Sequence, residues 1–492
     1  MTDVPLCDPT GIPRSTDVRL ERNADISSRC GEEDPELTDD SAERTNDITA
    51  PTLSRRAEAA ADVLRDGGAA SGRPVAVVTS SAAAIAILAY AAPLLPAPLF
   101  PIDPNLPKDA IADLLGQAGV DLVVSDAPVA GRAYVPVADI LACLAGAEVP
   151  WRPPEGIALL IATSGSSGRP KAVMLTGAAL VAAAKASEAA TALGSGDVWL
   201  ACLPLFHIGG FSILTRCALA GATALIHERF EAERVSSALG AGRVTHLSLV
   251  PAMLSRLCDL GAPPAALKHV LVGGAALSSE LAERAADLGW PVQPTYGMSE
   301  TASQIATLKT LPRPWSVGNV GPPLPGAEVA LDPDGRLKVR GPMLMAGYAN
   351  PDLLPGEGLE DGWFVTADLA EIVPEGLTIL GRADDVIVSA GKKLLPAMVE
   401  GLVAACPGVD AVAIAGRPDP VWGELVVVIY KGTATPGAVL SWCRENVASA
   451  MRPRAALKVD LLPELANGKP DRSALKRLAA DVETEAGAAG KD

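Results

Sequence analysis

The chain has 492 residues, of which 49% are apolar and 20% charged, with a formal net charge of −17. That length exceeds one ordinary hydrophobic core and predicts two or three domains. The negative charge argues against nucleic acid or an anionic membrane surface as a partner.

Residues 1–50 carry thirteen acidic side chains and five arginines, a net of −8, and few large apolar residues. This composition predicts a disordered acidic tail, since too little apolar surface is available to offset chain ordering. No basic start followed by an apolar core is present, so no secretory signal is expected. The eight cysteines form no C-x-x-C pair. Cys202 and Cys217 lie in apolar stretches and read as small core residues, and a reducing cytoplasm is the expected compartment.

From about Thr52 helix-like and strand-like runs alternate. Short β-rich runs at residues 73–79, 120–124, 157–163 and 269–274 are bounded by turn residues, which predicts α/β layers with mainly parallel sheets. Residues 82–100 are nineteen positions without a charge, long enough to span a bilayer. Pro93, Pro96 and Pro98 interrupt them, so they are read as a buried helix, a turn and a short strand ending near Pro101. Residues 318–368 turn Gly- and Pro-rich, predicting a smaller β-rich unit. After Gly381 the strand–helix rhythm restarts on a smaller scale. The expected division is a tail over 1–50, a large domain of layered α/β subdomains plus the β-rich unit over 51–383, a small mobile α+β domain over 384–478, and a flexible tail over 479–492.

The first chemical signal is Thr163-Ser-Gly-Ser-Ser-Gly-Arg-Pro-Lys171, directly after an apolar strand. Small residues let the backbone approach an anion, successive amides can form a nest, and Thr163, Ser164, Ser166, Ser167 and Lys171 add donors and charge around Gly165 and Gly168. The spacing is not that of a Walker loop. The segment resembles the phosphate loop of the superfamily of acyl-CoA synthetases, peptide-synthetase adenylation domains and luciferases. Ser167 stands where Thr is usual, and Ala172 where Gly is usual.

Five further segments carry the same resemblance, in the same order. Thr295-Tyr-Gly-Met-Ser-Glu300 is similar to the family's adenine and magnesium segment. It implies that Tyr296 and Gly297 flank adenine, Ser299 binds the α-phosphate and Glu300 holds Mg²⁺; Gly274 is assigned to the nucleotide site in the same way. Residues 362–368 resemble a segment ending T-G-D, with Ala367 in place of Gly and Asp368 as the ribose ligand. Gly381-Arg-Ala-Asp-Asp-Val-Ile387 resembles the hinge segment, with Arg382 reaching ribose or phosphate and Asp384 as pivot. Residues 389–400 resemble the hairpin lining the coenzyme A tunnel, with Gly391 matching and Ala390 and Lys393 departing from the usual pattern. Asn467-Gly-Lys-Pro-Asp-Arg472 matches the signature whose lysine, Lys469, bridges the carboxylate and the α-phosphate.

The resemblance implies an ATP-dependent acid–thiol ligase that forms an acyl-adenylate and transfers the acyl group to coenzyme A, with Mg²⁺, ATP and coenzyme A as cofactors and co-substrates. Both reactants of the first step are anionic, so cations and donors must offset their repulsion. Residues 201–210 resemble the acyl-pocket region, making His207 a pocket wall or thiol gate. Tyr296-Gly-Met-Ser-Glu-Thr-Ala-Ser-Gln-Ile305 is similar to the string in 2-succinylbenzoate–CoA ligases of menaquinone synthesis. A dicarboxylate would want a second cation, and Arg216 is the candidate by position. Aryl- or medium-chain acyl-CoA ligases share most of these segments, as does a free-standing adenylation enzyme that loads a carrier protein. The expected partners are the small carboxylic acid, ATP and coenzyme A, with a homodimer left open.

Overall fold

In the computed structural model the described residues are 50–95, 97–163, 169–463 and 470–482; the expected acidic tail, the phosphate-loop residues 164–168 and Lys469 lie outside them. Helix Ala50–Asp66 packs its Ala57, Ala60, Ala61 and Leu64 against helix Ala82–Ala91, every residue of which is buried. The uncharged stretch is thus an interior helix, a 3₁₀ turn Ala92–Leu94 and a strand Leu99–Ile102. Its start is fixed by Ser81, whose hydroxyl accepts the Ala84 amide, and by Glu228, whose carboxylate accepts the Ala82 amide at 2.6 Å. No helix among the described residues is long and apolar enough to cross a membrane. The dominance of alanine lets helix and sheet backbones approach closely, and the larger buried side chains contribute most of the apolar burial, about 1.5–3 kcal/mol each.

Two mixed sheets share this core. The first runs Gly347–Tyr348, Lys171–Thr176, Ile157–Thr163, Leu99–Ile102, Val75–Val78, Leu122–Ser125, Ala133–Pro136. The second runs Ser303–Thr307, Val292–Met298, His269–Val272, His246–Leu249, Val198–Ala201, Thr223–Ile226. Both are parallel except at one edge, as expected for strands joined by crossover helices. The Gly/Pro-rich region forms a third, antiparallel sheet of Glu328–Leu331, Arg336–Arg340, Phe364–Val373 and Gly376–Arg382. Gly347–Tyr348 leaves that unit to join the first sheet. A fourth sheet is built from Ile387–Ser389, Lys392–Leu394, Val409–Asp419, Gly423–Gly432 and Ala455–Lys458, closed by helices Pro396–Val403, Pro436–Asn446 and Arg472–Ala480. The described residues fall within one compact unit, Glu43–Asp492.

One boundary needs correction. The flexible tail expected from 479 starts too early, because Ala479 is buried within the last helix and the Val482 carbonyl accepts from Arg417. The small, weakly apolar sequence there hides a helix face that only packing against Val409–Asp419 reveals.

At the amino edge of the second sheet the His246 and His269 rings stack at 4.8 Å, with Trp199 at 5.1 Å from His246. His246 Nε2 donates to the Thr191 carbonyl at 2.8 Å, and Nδ1 lies 2.8 Å from the Thr245 hydroxyl. Burial holds both imidazoles below the usual histidine range, against the opposing pull of Asp197 and helped by Lys268 and, for His246, by His269. Since the unfolded pKa is about 6.5, the unfolded chain binds more protons at mildly acidic pH. Stability is therefore complete above pH ~6.5 and is lost as pH falls through the depressed folded values. Thermal melts across pH 5–8 should show Tm falling on the acid side, and His269→Gln should flatten that fall; an unchanged slope would show that the stack does not titrate on folding.

Candidate active site

The candidate residues gather at the carboxyl edges of the two sheets, where open α/β folds place ligand crevices. In the first sheet Thr163 pairs with Lys171 as the last register pair of an antiparallel hairpin. Ala172 is buried in the strand and has no positive φ, so a methyl in place of the family's usual glycine costs little. Tyr348 pairs with Val173 across the edge, and its ring carries the Lys171 ammonium 4.6 Å from its centroid.

In the second sheet, strand Val292–Met298 runs into the 3₁₀ turn Ser299–Thr301. Ala302 and Ser303 follow with φ of 50° and 111°, backbone strain of the kind stored at functional sites. Thr301 holds this turn by donating to the Ser303 carbonyl at 2.8 Å. Gly297 was assigned to the nucleotide by resemblance, but its local requirement is steric: a Cβ there would sit 1.9 Å from the Ser303 carbonyl oxygen. Gly274 lies in the turn after the neighbouring strand His269–Val272.

Three sheets then converge. The Tyr296 hydroxyl donates to Asp368 Oδ2, and Tyr348 donates to Glu300 Oε1 at 3.0 Å. Asp368 faces Arg382 in register across strands Phe364–Val373 and Gly376–Arg382, and Ala367 sits in extended strand without positive φ, so the missing glycine leaves the geometry intact. Burial pushes the Glu300 carboxyl up, with Asp368 adding to it, while the Tyr348 bond and the Arg382 charge oppose the rise. Burial, then the Asp368 carboxylate, holds the Tyr296 phenol well above its usual range, so it stays a donor. Arg382 loses some basicity to burial but gains more from Asp368, Asp384 and Asp385, and remains a cation. The result is two carboxylates with free oxygens beside fixed phenol donors and one guanidinium. Such a site can accept hydroxyls at Asp368 and hold a hard cation at Glu300; one carboxylate plus phosphate oxygens is a usual magnesium donor set.

On the other side of the strained turn lies helix Ile208–Ala220. His207 is its N-cap residue, its ring edge-on to Phe206 at 4.9 Å. Arg216, further along the same helix, is 4% exposed. Its Nη2 donates to Ser303 Oγ at 3.0 Å and its guanidinium lies 5.2 Å from the Trp199 ring centre. Among the described residues its Nε has no partner, and the neighbouring Cys217 thiol, pushed up to about 12 by burial, is uncharged at neutral pH. Burial pushes the Arg216 pKa down to about 10, which leaves it a cation at neutral pH.

Asp384 lies in the 3₁₀ turn Ala383–Asp385 and receives Arg382 at 3.1 Å. Gly391 and Ala390 form the tip of the hairpin Ile387–Ser389/Lys392–Leu394 with φ of 74° and 50°, the left-handed pair of a two-residue hairpin. Ala390 therefore bears a strain of roughly 1–2 kcal/mol that the usual glycine avoids. Lys392 and Lys393 are exposed. Near Lys469, Asp471 donates its amide to the Pro463 carbonyl at 2.9 Å, and Arg472 binds both Glu400 oxygens at 2.6 and 3.2 Å.

Two neighbours of the site escaped the sequence reading. Tyr348 sits in a two-residue strand within a glycine-rich stretch, too short for any periodicity to register. Ser303 lay inside the quoted string, but only its positive φ and its bond to Arg216 give it a role.

The sequence matches the family of AMP-binding enzymes over residues 27–349 and the C-terminal domain of AMP-binding enzymes over 398–469. The chain belongs to the AMP-binding enzymes. The match begins inside the segment set apart as an acidic tail. Among relatives of this AMP-binding enzyme, the 2-succinylbenzoate–CoA ligase of Bacillus cereus is 34% identical over 338 residues, covering 66% of this chain and 70% of the relative. That of Listeria innocua is 33% identical over 319 residues, covering 64% and 68%. The o-succinylbenzoate CoA synthetase of Bacillus subtilis in complex with the acyl-adenylate intermediate superposes with a TM-score of 0.76 at 27% identity, covering 86% of this chain and 92% of that one. The same synthetase with ATP and magnesium ion gives 0.77 at 27% identity, covering 86% and 93%.

Proposed function

We propose that this AMP-binding enzyme activates 2-succinylbenzoate with ATP and passes the acyl group to coenzyme A, acting in the cytoplasm within menaquinone synthesis. The observation that carries the substrate is Arg216: a buried guanidinium which, among the described residues, has an unsatisfied Nε and no carboxylate paired with it. A buried cation left without a counter-ion is costly unless a ligand supplies one. A dicarboxylic acid does so with the carboxylate that is not activated, and the relatives named above act on such an acid.

The proposed roles are those the resemblance implies, with the geometry around Tyr296, Asp368 and Glu300 in support. Tyr296 offers its ring to adenine while its hydroxyl fixes Asp368, whose other oxygen accepts the ribose hydroxyls. Thr163, Ser164, Gly165, Ser166, Ser167, Gly168 and Lys171 hold the phosphates, and Ser299 meets the α-phosphate. Glu300 fits a magnesium ion, which when bound would neutralise phosphate charge as a Lewis acid. Lys469 spreads its charge over carboxylate and α-phosphate. The carboxylate needs no base, being ionised at pH 7. Asp384 is the pivot, after which the hairpin at Gly391 guides the pantetheine arm and His207 gates the thiol. We assign 51–383 and 384–480 as the two working domains.

ATP–pyrophosphate exchange against a panel of 2-succinylbenzoate, benzoates and fatty acids tests the reading. The expected result is the highest kcat/KM with 2-succinylbenzoate, and thioester release with free coenzyme A. A best substrate of twelve or more carbons would sink the pocket assignment. Transfer only to a carrier-protein thiol would sink the ligase assignment.

A further inference from the structure

The Tyr348 side chain touches both Lys171 and Glu300, the charged arms of the crevice. Its strand is locked on each side: Ala346 donates to the Met174 carbonyl at 2.8 Å, Ala349 donates to the Ala172 carbonyl at 2.7 Å, and Met345 donates to the Glu300 carbonyl at 2.8 Å. The ring edge packs on Gly358, where a Cβ would sit 2.6 Å from ring carbons. The phenol therefore has a fixed place between the Lys171 ammonium, 4.6 Å from the ring centre, and Glu300 Oε1, 3.0 Å from the hydroxyl. The ammonium is exposed and the carboxylate largely buried, and opposite charges on either side of one ring attract each other. Yet among the described residues Lys171 and Glu300 do not meet as an ion pair.

We propose that Tyr348 is a positioning residue that keeps Lys171 and Glu300 apart as two ligand-ready charges. Its face seats the cation, its hydroxyl occupies one carboxylate oxygen, and the ring blocks their collapse onto each other. Without that spacer the lysine turns to Glu300, and an incoming polyphosphate must break the pair before it gains the cation. The inference rests on the reading of this crevice as a nucleotide-phosphate site.

The test is calorimetric binding of ATP in buffer free of divalent metal, which isolates the lysine from any magnesium effect. Tyr348→Leu removes seat and hydroxyl together and should weaken ATP binding by about 10-fold, the scale of an exposed cation–π contact plus a competing pair. Tyr348→Phe keeps the ring and should stay within about 3-fold of the native chain. Adding Glu300→Gln to Tyr348→Leu removes the charge that captures Lys171, so affinity should recover to within about 3-fold of native. A purely packing role for Tyr348 would give no such recovery. Native-like affinity in Tyr348→Leu, or no rescue by Glu300→Gln, would overturn the proposal while leaving the ligase reading standing. A native chain that binds no ATP at all would overturn both.

Discussion

Lys469→Ala should slow acyl-adenylate formation by roughly two to four orders of magnitude, while thioester formation from a supplied acyl-adenylate stays within a few-fold of the native rate. In the first step the lysine's ammonium offsets charge shared by two anions brought together, where a preorganised cation acts on the transition state more than on the ground state. In the second step that charge has gone with pyrophosphate, and the thiol must approach the same carbon. On the proposed assignment the lysine is required for one half-reaction and in the way of the other, and a hinge between them then makes chemical sense. Asp384→Pro, in the turn Ala383–Asp385, should do the reverse, sparing adenylation and impairing thioester formation by restricting backbone torsion at the pivot. Single-turnover kinetics of each half-reaction distinguish the two variants. Equal damage to both steps by Lys469→Ala would mean that the side chain supports the fold rather than the chemistry.

Arg216→Met should cut kcat/KM for 2-succinylbenzoate by about 10²–10³-fold, the scale of removing one partner of a buried charge pair. A monocarboxylate analogue of the same size should lose little, so the ratio between the two acids is the diagnostic quantity. The free protein should be no less stable, because methionine keeps the apolar stem and removes a buried Nε that has no partner. The arginine is thus held at a stability cost that only a bound anion relieves. If Tm collapsed and both acids were affected alike, Arg216 would be a packing residue of helix Ile208–Ala220 and the dicarboxylate reading would fall.

The short β-rich runs bounded by turn residues placed the strands at residues 157–163 and 269–274, the latter two residues longer than the observed His269–Val272, and the buried helix in the uncharged stretch, because such patterns are local properties. The order of the segments around Thr163, Tyr296, Asp368, Arg382 and Lys469 pointed to the family for a similar reason: phosphate and adenine chemistry restrict residue type over short spans. Local rules also located their own limits. Ala172 and Ala367 departed from the expected glycines, and only the backbone conformation, extended at both, explains why a methyl is tolerated there. Ala390 departs in the same way but does carry positive φ.

What the sequence determined by itself was therefore the layered α/β architecture, the chemical class and most of the residues proposed for the nucleotide site. What the tertiary structure decided were relations between distant segments. Tyr296 reaches Asp368 from another sheet, Tyr348 stands between Lys171 and Glu300, and Ser303 bends back to hold Arg216. None of these has a sequence period, since each arises where chain segments separated by tens to hundreds of residues meet at a sheet edge. Whether a buried arginine is satisfied or waiting for an anion is likewise a property of its surroundings, because burial and hydrogen-bond partners are set by packing and not by the residue's neighbours along the chain.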